Sequence, residues 1–80
     1  MNNERKTTNL SANAVRTILV SKYGFSLEQW WSVLGEMYDM TSYFKDSYQM
    51  RLIAGNRPIF VRWTPETQWE IITSDNWYSY

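Results

Sequence analysis

The sequence predicts an α+β fold in a single small domain. Two N-terminal helices, or three if residues 41–54 are helical, precede an antiparallel β-hairpin or three-strand meander. Three observations carry that expectation. Leu27, Trp30, Trp31, Leu34, Met37 and Tyr38 recur at spacings of three, one, three, three and one, the stripe of an amphipathic helix. Gly55-Asn56 stands between two runs rich in apolar residues, as a two-residue hairpin turn does. From Ile59 to Ile72, β-branched and aromatic residues alternate with others on both sides of a Thr-Pro-Glu-Thr turn.

Taken in order, residues 1–9 are polar and predict a flexible tail, with a compact domain over 10–80. Ser11 or Asn13 can cap a first helix that places Val15, Ile18, Leu19 and Tyr23 on one face and ends near Gly24. Ser26 can cap the second, with Glu28 and Gln29 in its first turn and Phe25 placed to staple near Trp30. Its complete stripe puts both Trp30 and Trp31 at the centre of the core. Gly35 within it suggests either close approach by another element or plain tolerance. Residues 41–54 allow a third helix, with Phe44, Tyr48 and Leu52 four apart, or a short turn followed by a strand over 49–54. The strand is favoured by the alternation of Met50 and Leu52 with Arg51 and Ile53. Residues 58–64 and 68–73 then form strands joined by a turn, with Trp63 and Trp69 as a cross-strand pair.

Composition narrows the function classes. The 80 residues include no Cys and no His, which removes disulfides, thiolate metal sites and the commonest general base. Glu66 with Glu70, and Glu36 with Asp39, are the nearest approach to paired carboxylates, and each fits a solvated face better than an acid–base pair. Gly24, Gly35 and Gly55 are isolated, so no phosphate-cradling loop is present. No catalytic residue, cofactor, metal or small-molecule substrate is expected. The first twenty residues lack the apolar core of a secretory signal, and Ile18-Leu19-Val20 is far too short for a membrane span. A cytoplasmic location without a membrane partner is the expectation.

Two binding functions remain. Charge alternates along the chain in blocks: basic over 1–22, acidic over 27–40, basic over 45–62, and acidic again over the rest. These blocks suit internal pairing, or else a basic face over 45–62. Five Trp, six Tyr and three Phe exceed what so small a core can hold, so some rings should face outward as interface anchors. The favoured function is a non-enzymatic protein-binding module, an inhibitor, adaptor or accessory regulator of the kind phages and plasmids encode. Its partner would be another protein or a second copy in a homodimer, met by Arg62, Trp63, Trp69, Trp77, Tyr78 and Tyr80. The alternative is a DNA-binding regulator with the element order of a winged helix-turn-helix. Ser42, Lys45, Gln49 and Arg51 would then reach the duplex from a third helix, with Arg57 and Arg62 on the wing. The zero net charge weakens that alternative, because binding to phosphates depends on counterion release.

Overall fold

The computed structural model describes residues 4–74. Over that span it holds strand β1 (Glu4–Leu10), helix α1 (Ala12–Ser21), helix α2 (Leu27–Met40), and strands β2 (Tyr48–Ala54), β3 (Arg57–Thr64) and β4 (Gln68–Ser74). The four strands form one antiparallel sheet in the order β1-β4-β3-β2. The fold is α+β, as expected.

Both helices begin where their caps dictate. The Ser11 hydroxyl accepts from the Ala14 amide at 3.1 Å. Ser26 and Gln29 close a reciprocal capping box, with bonds of 3.1 and 2.7 Å satisfying two of the free amides of the first turn. After α1 the chain turns through Gly24 at φ +75°, a conformation that costs Gly little. The Phe25 amide bonds back to the Leu19 carbonyl.

The sheet departs from expectation at its N-terminal edge. Residues 4–9, expected in a flexible tail, belong to β1, which pairs with β4 from Glu4↔Ser74 to Leu10↔Trp69. The meander of β2, β3 and β4 thereby becomes four strands, and a strand comes before the helices. β1 lacks an apolar alternation because it lies at an edge and is held by its backbone ladder. Thr7 and Thr8 are its only β-branched residues. The register breaks between Thr7 and Leu10, where Asn9 adopts φ +58° and its amide bonds the Thr67 carbonyl at 2.8 Å.

Residues 48–54 form a strand in unbroken register with β3, from Tyr48↔Trp63 to Ala54↔Arg57. The Gly55-Asn56 turn joins them, with Gly55 at φ +70°. The third helix is therefore absent, and with it the reading helix of the winged order. Residues 41–46 form turns instead.

The helices cover one face of the sheet. Val61, Trp63, Trp69 and Ile71 point toward them and join Val15, Leu19, Phe25, Trp30, Val33 and Met37 in one core. Trp63 and Trp69 are register partners, as expected. The Phe44 ring meets both, at centroid distances of 5.2 and 5.9 Å, and Trp30 lies 5.6 Å from Trp69. The opposite face carries Phe60, Arg62, Glu70 and Ile72. Ile72 is buried between its register partners Phe60 and Lys6.

Because Trp69 touches rings from both α2 and the following loop, Trp69→Ala should cost about 3–5 kcal/mol, and urea denaturation measures it. A loss below about 1 kcal/mol would mean that this ring cluster does not hold the helices on the sheet.

Candidate protein-interaction surface

Helix α2 has two apolar faces, and one of them is exposed. At about 100° per residue, Trp30, Val33 and Met37 fall on the side turned to the sheet, and all three are buried. Leu27, Trp31, Leu34 and Tyr38, at spacings of four, three and four, run along the neighbouring side. Leu34 is half-buried, while Leu27, Trp31 and Tyr38 are exposed, Trp31 to 59%. The expectation that Trp31 shares the core with Trp30 is therefore wrong. The apolar residues of α2 span more of its circumference than the sheet and α1 can cover. Gly35 lies on the open side, with nothing within 4 Å of where a Cβ would stand. No other element approaches it closely.

The loop after α2 extends this surface. Thr41, fully buried, donates its hydroxyl hydrogen to the Met37 carbonyl at 2.6 Å and accepts from the Phe44 amide at 2.7 Å. Its carbonyl accepts from the Lys45 and Asp46 amides, each at 2.8 Å. Around this centre Ser42, Tyr43 and Phe44 all take left-handed backbone, with φ +53°, +65° and +66°. For residues with a Cβ this costs about 1–2 kcal/mol each. The run sends Phe44 inward to Trp63 and Trp69 and leaves Tyr43 63% exposed. There the Tyr43 ring stands edge-on to Tyr38 at 4.6 Å. Leu27, Trp31, Tyr38 and Tyr43 thus form an apolar and aromatic strip from the start of α2 to the loop beyond it.

The charges that α2 itself contributes beside the strip are all of one sign. Glu28, Glu36 and Asp39 are the charged residues of α2, which contains no Lys or Arg. Glu36 is engaged across the fold, accepting a hydrogen bond from the Tyr48 hydroxyl at 2.7 Å. That bond holds the Tyr48 phenol above its ordinary pKa, and burial and the Glu36 charge push it the same way.

The residues expected to bind are dispersed. Trp63 and Trp69 are buried in the core and cannot anchor a partner. Arg62 lies opposite Glu70 in the register and pairs with it through Nε and Oε1 at 2.5 Å. Glu70 is only 1% exposed, against 32% for Arg62, so the solvated face expected for Glu70 is instead a partly buried ion pair. Trp77, Tyr78 and Tyr80 lie outside the described residues. Of the groups proposed for DNA, Ser42 and Lys45 are in the loop. Gln49 and Arg51 lie on β2 at positions facing away from the helices, and Arg57 begins β3 on the other face. They share no helix and form no single basic face. Among the described residues, no helix is long and apolar enough to cross a membrane. Comparisons with known protein families, curated proteins and solved structures find no match to this chain.

Two measurements check these contacts. Arg62→Leu should destabilise the fold by about 1–3 kcal/mol by leaving the Glu70 carboxylate buried without its partner, and adding Glu70→Leu should recover most of the loss. Tyr48→Phe tests the bond to Glu36 through its pH dependence. A phenol whose folded pKa is raised contributes stability that is fully present below the unfolded value of about 10 and is lost as pH rises through the folded value. Denaturation of the two proteins should therefore show a constant gap at neutral pH that narrows above about pH 10. A gap unchanged at high pH would remove the bond as its cause.

Proposed function

We propose that the chain is a non-enzymatic protein-binding module, a small inhibitor, adaptor or accessory regulator acting in the cytoplasm. The observation that carries this is the exposed strip Leu27–Trp31–Tyr38–Tyr43. Trp and Tyr are the residues that most often anchor interfaces, because each combines a large apolar area with few rotatable bonds. Gly35, open between Trp31 and Tyr38, lets a partner approach the helix backbone.

The partner's contact region is apolar and flanked by Lys or Arg, to answer Glu28 and Asp39 beside the strip. A second copy fits less well. Two α2 helices packed antiparallel on this strip would bring Glu28 of one toward Asp39 of the other, with no base on either helix to offset them.

Trp31→Ser with Tyr38→Ser should leave stability within about 1 kcal/mol, because both rings are exposed. The same pair should abolish recovery of a partner that the unmodified chain retains, and added salt should weaken that partner's binding. Glu66→Gln, in the β3–β4 turn, serves as the control. A partner bound equally well by the double variant, or a concentration-dependent homodimer that the two substitutions dissolve, overturns the proposal.

A further inference from the structure

The two edges of the sheet are built differently. β1 carries Arg5 and Lys6, a register break between Thr7 and Leu10, and left-handed Asn9. Charges and bulges of this kind discourage another chain from adding to an edge. β2 has neither Lys, Pro nor a bulge. It holds seven successive pairs with β3 on one side, and no described strand pairs with its other side. Its one charge is Arg51, and Ile53 is exposed.

A groove of about 570 Å³ runs between this edge and α2. Phe25, Val33, Met50 and Leu52 supply its apolar lining, and Glu36 and Tyr48, joined by their hydrogen bond, give it a polar end. A helix laid in such a groove would leave the backbone groups of the β2 edge unpaired, whereas an extended chain satisfies them.

We infer that β2 accepts an extended segment of a partner polypeptide as a fifth strand. Alternate side chains of the segment enter the groove, and the others lie beside Gln49, Arg51 and Ile53. The chemistry of each position follows. Apolar residues sit over Leu52 and Met50, a Lys or Arg reaches Glu36 beside Tyr48, and an acidic residue between the two apolar ones meets Arg51. Read antiparallel to β2, the pattern is apolar, acidic, apolar, any, basic.

The occupant is not a second copy of this strand. Arg51 is the central residue of Tyr48–Ala54, so a symmetric antiparallel pairing over the whole strand sets Arg51 against Arg51. β2 holds no acid to offset them, and like charges directly opposite are destabilising. The site is separate from the strip that carries the proposed function. Glu36 lies five residues after Trp31, about 140° round the helix.

The probe is the synthetic peptide Thr-Ile-Glu-Val-Thr-Lys-Thr, acetylated and amidated, titrated into the 80-residue chain and followed by amide NMR shifts. The expected result is saturable shifts over residues 48–54 and the facing side of α2, with Trp31 and Tyr43 unmoved. N-methylation of alternate peptide amides, which blocks strand addition but keeps the side chains, should weaken binding by roughly tenfold or more. Glu36→Gln in the protein, or Lys→Met in the peptide, should each weaken it severalfold. Absence of shifts at millimolar peptide, equal affinity for a scrambled peptide, or equal affinity for the N-methylated one overturns the inference. So do dilution-dependent shifts of β2 without peptide, which would make a second copy the occupant. Loss of partner binding through Trp31 and Tyr38 would leave these outcomes unaffected, so the two proposals fail separately.

Discussion

The contact on which the rest of the structure depends is the cluster of Trp30, Trp69, Phe44 and Trp63. Trp30 comes from α2, Phe44 from the loop after it, and Trp63 and Trp69 from adjacent strands. Three segments distant in sequence are thus tied at one place by rings at tilted or edge-on angles, the arrangements that aromatic quadrupoles favour. A chain of this size without a cysteine to form a disulfide depends on such concentrated burial, because each ring removes on the order of 150–250 Å² from water. The cluster also fixes the rotation of α2. With Trp30 held against Trp69, Trp31 is turned about 100° away, and the second apolar side of the helix has to face outward.

The same constraint explains the unusual loop. Phe44 has to reach Trp63 and Trp69 within four residues of the end of α2, and β2 begins four residues later at Tyr48. A right-handed continuation would carry the chain onward along the helix axis and away from the sheet. Three successive left-handed residues reverse it, and the buried Thr41 compensates by satisfying groups on both sides through its hydroxyl and carbonyl. Tyr43 is exposed as a direct consequence, since it is the residue between the one anchored inward and the one that starts the reversal. Core packing and surface display are therefore coupled: changing Phe44 would alter how Tyr43 is presented.

Much of the fold was legible in the sequence because its signals are local. The Ser26 cap, the Gly55-Asn56 turn and the Trp63–Trp69 register each follow from a few neighbouring residues. β1 was not legible, since an edge strand held by backbone bonds needs no apolar alternation, and Glu4–Leu10 has none. The candidate surface was misplaced for a different reason. Periodicity shows that Leu27, Trp30, Trp31, Leu34, Met37 and Tyr38 are apolar on a helix, but not how much of the helix the rest of the chain can cover. The clue was the width of the stripe: Trp30 and Trp31 are adjacent and cannot both point at one sheet. The Arg62–Glu70 pair could also have been found. Once the turn at 65–67 is accepted, the register places these opposite charges across from each other.

Helix α2 therefore serves three environments at once. One side supplies the core, the next carries exposed rings, and the side bearing Ser32 and Glu36 lines the groove beside β2. A helix asked only to cover a sheet would carry charge on its outer sides, as Arg16 and Lys22 do at α1. α2 instead places apolar rings on one outer side and restricts its charges to acids, an arrangement that leaves large apolar area in water. Such area is tolerated in water only if it is small or normally covered. On the function proposed above, the acids of α2 limit association among copies through mutual repulsion and attract a basic partner. On that proposal, the apolar area supplies affinity and the single sign of charge on α2 supplies selectivity.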